Sequence, residues 1–133
     1  MGNIVLDMSM SLDGFIAGPD DDERQGLGVD GHRLHAWLAE GSDDPRTYRP
    51  SGPSGEIFDE LMATGAVLVG RRTFVLVGRW NGDHHDGVPI FVLTHSAPVE
   101  PAPGSARYVT DGIESCVAQA KAAAGDRDIL LHG

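Results

Sequence analysis

The sequence predicts an α/β domain built on a mostly parallel central sheet flanked by helices. Three observations predict it. Ala66-Val-Leu-Val69 is an uninterrupted apolar run of strand length, the pattern of a strand buried on both faces. Strand-like and helix-like segments alternate along the chain, which favours parallel pairing through helical crossovers. The chain has 133 residues, 41% of them hydrophobic, enough for one core, so residues 1–133 read as a single domain.

The elements follow in order. Asn3 to Ser11 alternates apolar and polar residues and reads as a first strand, ended by the turn signal Leu12-Asp13-Gly14. Phe15 to Pro19 and the acidic loop Asp20 to Glu23 come next. Residues 24–53 are rich in Gly, Pro, Asp, Arg and Ser, with only Leu34 to Ala39 suggesting a short helical turn. An irregular stretch of that length in a compact domain usually serves function. Ser54 is placed to cap a helix through Met62. Ile57 with Leu61, and Phe58 with Met62, supply its i,i+4 apolar face, and Gly65 is a suitable stop.

The strand 66–69 then leads into an arginine turn. Val88 to Thr94 reads as a second buried strand, and the Pro-rich connector Ala97 to Gly104 leads to a short strand at Arg107 to Thr110. Asp111 and Glu114 have capping-box spacing for a helix through Ala124, with Gly125 as its stop. Asp128 to Gly133 reads as a final strand running into a glycine.

Charge narrows the partners. A formal net charge of −10 argues against nucleic acid or an anionic membrane, so any anionic ligand must be held by local positive charge. No run of 18 apolar residues and no charged-then-apolar leader is visible, and the single cysteine, Cys116, cannot form an internal disulfide. A cytoplasmic location is the expectation. Cys116 reads as a small core residue of the last helix.

The richest motif is Gly70-Arg71-Arg72-Thr73, directly after the buried strand. Ligands of open α/β sheets sit at the carboxyl ends of strands, and this turn offers a flexible glycine, two cationic forks and a hydroxyl. Arg71 and Arg72 can each supply bidentate contacts to phosphate. Neighbouring strand-end residues point apart, so one would bind while the other faces solvent or a carboxylate. A plain pair of surface arginines is the competing reading. Thr73 is expected to cap the following helix and to bond a phosphate oxygen. Thr94, His95 and Ser96 hold the equivalent position after the strand 88–94, with an ordinary loop histidine as the alternative for His95.

Two lookalikes are set aside. Gly26-Leu-Gly28-Val-Asp-Gly31 fits the dinucleotide pattern literally but follows Asp20 to Gln25, which cannot be a buried strand. Gly65 to Thr73 mimics a P-loop, but its apolar interior is strand material. Asp83-His-His-Asp86 has metal-ligand residue types in adjacent positions without a spaced third ligand. It is expected to be a solvated loop, and no metal is expected. Trp37 could stack on a planar substrate ring or pack a helix, and His32, Arg33 and His35 could bind an anionic group nearby.

Four segments together resemble one family. Met10 to Ala17, Val69-Gly-Arg-Arg-Thr-Phe74, Phe91-Val-Leu-Thr-His-Ser96 and Ile129-Leu-Leu-His-Gly133 occur in the order found in the dihydrofolate-reductase fold. They most resemble the reductase domain of riboflavin biosynthesis and its single-domain relatives. The resemblance implies NADPH as cofactor and hydride transfer to a small planar heterocycle, of the aminouracil or the dihydrofolate type. It implies that Ile16 and Ala17 belong to a loop covering the nicotinamide, near Asp13, which could orient substrate or relay a proton or serve only its turn. Gly70 to Thr73 would grip phosphates, and Leu93 to Ser96 would lie beside the adenosine and its 2′-phosphate. Gly133 would begin a glycine turn at the pyrophosphate. In that family a helix and further strands follow this glycine, and a homodimer is common. The sequence ends at Gly133, which would leave the first strand as an exposed apolar edge; the expectation is a piece of a longer product, with a second chain supplying the missing surface as the alternative. From another class, a non-catalytic nucleotide-binding or assembly domain of the same fold is the alternative.

Overall fold

The structure is a computed structural model and describes residues 1–38 and 47–133. Five strands, β1 (Ile4–Asp7), β2 (Ala66–Gly70), β3 (Ile90–Leu93), β4 (Ala106–Val109) and β5 (Ile129–His132), form one sheet in the order β1-β5-β2-β3-β4. Every neighbouring pair is parallel. Three α-helices connect them: α1 (Gly52–Met62), α2 (Arg71–Leu76) and α3 (Ile113–Ala124).

Connection handedness distributes these helices. Crossovers from β1 to β2 and from β2 to β3 step one way across the sheet, and the crossover from β4 to β5 steps back. Right-handed crossovers therefore put α1 and α2 on one face and α3 on the other. The core shows this split. Val67, Val69, Ile90, Val92 and Leu130 pack with Leu61 of α1 and Phe74 of α2. Ala66, Leu68, Phe91 and Ile129 pack with Cys116, Ala120 and Ala124 of α3. This two-sided burial is why residues 66–69 are apolar without alternation.

Sequence and structure differ at the ends of elements. β1 stops at Asp7, and residues 8–11 have left the sheet. α1 begins at Gly52, three residues before the expected start, with Ser51 in place of Ser54 at its N-cap and Pro53 in its first turn, where no backbone N–H is needed. The Asp111/Glu114 capping box does not form. Gly112, at φ 106°, takes the N-cap position and leaves Asp111 outside the helix, with no side-chain cap bond. The expected helical turn at Leu34 to Ala39 is found as a 3-10 turn at Gly31–His35; Ala39 lies outside the described residues.

β1 has β5 as its one neighbour among the described residues, and Ile4, Val5 and Leu6 are 39%, 37% and 61% exposed. The expected apolar edge is therefore present. No helix among the described residues is long and apolar enough to cross a membrane.

Candidate functional site

The carboxyl ends of all five parallel strands lie along one edge of the sheet. In register there stand Asp7 of β1, His132 of β5, Val69 and Gly70 of β2, Leu93 of β3 and Val109 of β4. Residues directly opposite in a parallel pair share a face, so Asp7, His132 and Val69 all face the α1/α2 side.

At the β2–β3 end, Arg71, Arg79, Thr94, Ser96, Glu100 and Tyr108 are among the residues lining a cavity of about 100 Å³. Its walls are fixed. Phe74 meets Tyr108 edge-on with ring centroids 6.1 Å apart, and the Tyr108 hydroxyl accepts a hydrogen bond from the Ala102 backbone N–H at 3.1 Å. That bond pins the Pro-rich connector across β4. The Thr94 hydroxyl donates to the Ser96 carbonyl at 3.0 Å, shaping the turn after β3.

The two arginines part company. Arg72 pairs with Asp21 of the acidic loop, Nη2 to Oδ2 at 2.6 Å. Arg71 lines the cavity and has no ion pair or hydrogen bond among the described residues. Both arginines are expected at a strand end but lie in the first turn of α2, where successive side chains diverge by about 100°. Gly70 has no atom within 4 Å of the position a Cβ would take, so the backbone of this turn is open to approach.

Thr73 requires a correction. It sits inside the first turn of α2, whose N-cap is Gly70, and no side chain caps the helix. Its hydroxyl donates to the Gly133 carbonyl at 3.1 Å, tying the arginine turn to the end of β5. Leu93 faces α3 and packs in that core. His95 is exposed and is not among the residues lining the cavity.

The other candidates lie apart from this cavity. Asp13 accepts the Ser11 hydroxyl at 2.7 Å in a tight exposed turn, where the Phe15 N–H also bonds Ser11 Oγ. Ile16 is 47% exposed and Ala17 half-buried beyond that turn. The Trp37 indole N–H donates to Ser9 Oγ at 3.0 Å, joining the long loop to the segment after β1. The glycine lookalike is a compact fold-back: a Cβ on Gly26 would strike the Leu76 carbonyl, and one on Gly28 the Gly18 carbonyl. It is not preceded by a strand, and its one bridge is the Asp22–Gln25 turn.

The Asp83 to Asp86 segment is a second correction. His85 is 8% exposed and His84 half-buried. His84 Nδ1 lies 2.7 Å from His85 Nδ1, and His84 Nε2 lies 2.8 Å from His132 Nε2. Trp80 packs on both bonded rings, with centroids 4.7 Å from His84 and 5.2 Å from His132. Burial, reinforced by His132 and His85, holds His84 far below the usual imidazole range, at about 3. Burial also lowers His132, against the attraction of Asp7, and lowers His35, which Asp7 likewise opposes. No group of three or more histidine, cysteine or acidic residues among the described ones is arranged to hold a metal ion. Sequence reading missed His132, Trp80, Arg79 and Tyr108. Only the adjacent His84-His85 pair was visible, and its partner lies 48 residues downstream.

No family model matches this chain, and no curated protein matches it. A crystal structure of a protein from Shewanella sp. PV-4, provisionally named for riboflavin biosynthesis, is similar over 100% of this chain with a TM-score of 0.59 and 23% identity. The chain spans 65% of that protein's length. At this identity the similarity shows the α/β fold.

Proposed function

We propose that this chain forms the cofactor-binding part of an NADPH-dependent reductase acting on a small planar heterocycle, a pterin or an aminopyrimidine. The observation that carries this reading is Arg71, a guanidinium unpaired among the described residues, lining a cavity with Thr94 and Ser96 where adjacent parallel strands end. The cavity is smaller than the several hundred Å³ usual for a whole organic ligand, and its size and donors suit one phosphate group. Arg79 adds a second cation and Glu100 one opposing carboxylate. The rest of a dinucleotide would lie across the open strand ends, past Gly70 and toward Gly133.

NADPH, when bound, supplies the hydride; the protein supplies position. Arg71 and Ser96 would hold a phosphate, with Thr94 shaping the turn after β3 and Arg72 and Asp21 fixing the loop beside them. Ile16 and Ala17, beyond the Asp13 turn, would cover the nicotinamide. Trp37 and the long loop before α1 would face the substrate. A homodimer and a cytoplasmic location belong to the same proposal.

The same cavity would serve a nucleotide-binding domain without turnover. Thermal stability measured with NADPH, followed by NADPH oxidation on addition of an aminopyrimidine or pterin, separates the two. A reductase shows both effects and a binding domain the first alone. A full-length protein that no nucleotide stabilises would refute both.

A further inference from the structure

The histidine cluster at the β5 end is a directed hydrogen-bond chain. Its inner end is fixed by Thr64. The Thr64 hydroxyl donates to the Leu61 carbonyl at 2.7 Å, so its one proton is committed. His85 Nε2 lies 3.2 Å from the Thr64 carbonyl oxygen and 3.4 Å from Thr64 Oγ1, and both can only accept there. His85 Nε2 must therefore carry a hydrogen, which leaves its Nδ1 a bare acceptor when the ring is neutral.

The remaining protons follow. His84 Nδ1 donates to His85 Nδ1, so neutral His84 accepts at Nε2, and His132 Nε2 donates to it. Every N–H in the chain points inward toward Thr64. The reverse polarity would set a bare His85 nitrogen against two oxygen lone pairs inside the protein. The last atom, His132 Nδ1, is then a bare acceptor.

That nitrogen makes no hydrogen bond among the described residues. Among the described residues no fully buried side-chain nitrogen or oxygen lacks a partner, so Nδ1 of this half-buried residue keeps some solvent access. It does so where β1, β5 and β2 end. The titratable groups around it are Asp7 on β1, His35 of the 3-10 turn, and His84 and His85 themselves. Trp80 lies against the His84–His132 bond. It is held there by three successive left-handed residues, Arg79, Trp80 and Asn81, at φ 57°, 46° and 50°. Non-glycine residues adopt this conformation at a cost, and such strain concentrates at functional sites.

We propose that His132, His84 and His85 form a proton relay with a single open end, His132 Nδ1, and that this nitrogen exchanges a proton with the ligand at the ends of β1 and β5. Its role in catalysis rests on the reductase reading. Hydride addition to the carbon of a C=N or C=O bond sends the π pair to the heteroatom, which must gain one proton. The neutral relay first takes one proton from a water molecule at its open end, leaving hydroxide to solvent, and then releases that proton to the ligand from His132 Nδ1–H. The N–H bond there breaks, a heteroatom–H bond forms, and three neutral rings with inward N–H groups remain. In the opposite direction the proton enters at His132 Nδ1, the His132 Nε2 proton moves to His84 Nε2, and the His84 Nδ1 proton moves to His85 Nδ1. The proton stops there, because the Thr64 carbonyl cannot take it.

The test is long-range 1H–15N correlation spectroscopy of histidine-labelled protein without cofactor. At neutral pH the relay gives Nε2–H on His85, Nδ1–H on His84 and Nε2–H on His132, and on acidification the three rings shift together. Addition of 2-aminopyrimidine, a neutral N–H donor, shifts the His132 Nδ1 resonance. In His84→Gln, whose amide cannot pass a proton, His132 and His85 titrate separately. A Nδ1–H tautomer on His132, independent titration in the unaltered protein, or an unmoved His132 Nδ1 on addition of the probe would each overturn the proposal. The first two readouts need no variant. Stabilisation by NADPH is measured on the same sample: its failure alone removes the reductase reading, and wrong tautomers alone remove the relay.

Discussion

Arg72 reaches back 51 residues to Asp21 and closes a 2.6 Å ion pair between the arginine turn and the acidic loop. That pair decides which of two adjacent arginines is available. With the Arg72 side chain 72% exposed, the bond contributes little to stability, since exposed pairs are worth about 0–1 kcal/mol. Its consequence is positional: it leaves Arg71 as the cation of the cavity.

The two arginines should therefore behave differently. Arg71→Ala removes a charge-assisted phosphate contact and should weaken NADPH binding by roughly 1.5–3 kcal/mol, about 10- to 100-fold in Kd. Arg72→Ala should change it by less than about threefold. Calorimetric titration of both variants checks the contrast, and equal losses would mean that both arginines bind.

Thr73 Oγ1 and the Gly133 carbonyl link α2 to the end of β5. Thr73→Val keeps the shape and removes that donor. It should cost about 1 kcal/mol of stability, read as a lower denaturant midpoint with an unchanged slope. A loss of NADPH affinity far larger than Arg71→Ala causes would instead place the Thr73 hydroxyl on the phosphate.

His84 contributes to the acid sensitivity of the fold, as His132 and His35 do in the same direction. Its pKa falls from an ordinary 6.5 to about 3 on folding, mainly through burial. The unfolded chain thus binds more protons between those values, so stability is full above about pH 6.5 and falls as pH drops toward 3. Between pH 7 and pH 4 this one residue should cost about 3 kcal/mol. Urea unfolding across that range should show a shallower slope for His84→Gln, and an unchanged slope would place the acid sensitivity elsewhere.

Phe74 joins the cavity to the core. It is 1% exposed and packs on both Trp80 and Tyr108. Phe74→Ala should cost about 3–5 kcal/mol and loosen both aromatic walls. Thermal unfolding that moved only slightly would show that these walls stand without it.

The fold was legible because its strongest signals are local. Ala66 to Val69 is apolar because both faces are covered, and Gly70 to Thr73 follows that run as the turn into α2. Local signals also misled. Asp111 and Glu114 have the right spacing for a cap, but Gly112 takes the left-handed turn that starts α3. Thr73 has a capping residue's chemistry, yet β5 brings the Gly133 carbonyl within its reach. The histidine relay was hidden for the same reason. His84 and His85 look like a solvated loop until the β4–β5 crossover sets His132 beside them, and no local pattern contains that pairing.

The central claim is that Arg71 holds a phosphate of NADPH. It is tested most directly by measuring the thermal stability of the protein, and of Arg71→Ala, with NADPH and with NADH. A rise in Tm with NADPH is expected, with most of it lost in Arg71→Ala; a loss with NADPH alone marks the 2′-phosphate, and a loss with both cofactors marks the pyrophosphate. Equal stabilisation by NADPH with and without Arg71 would contradict it.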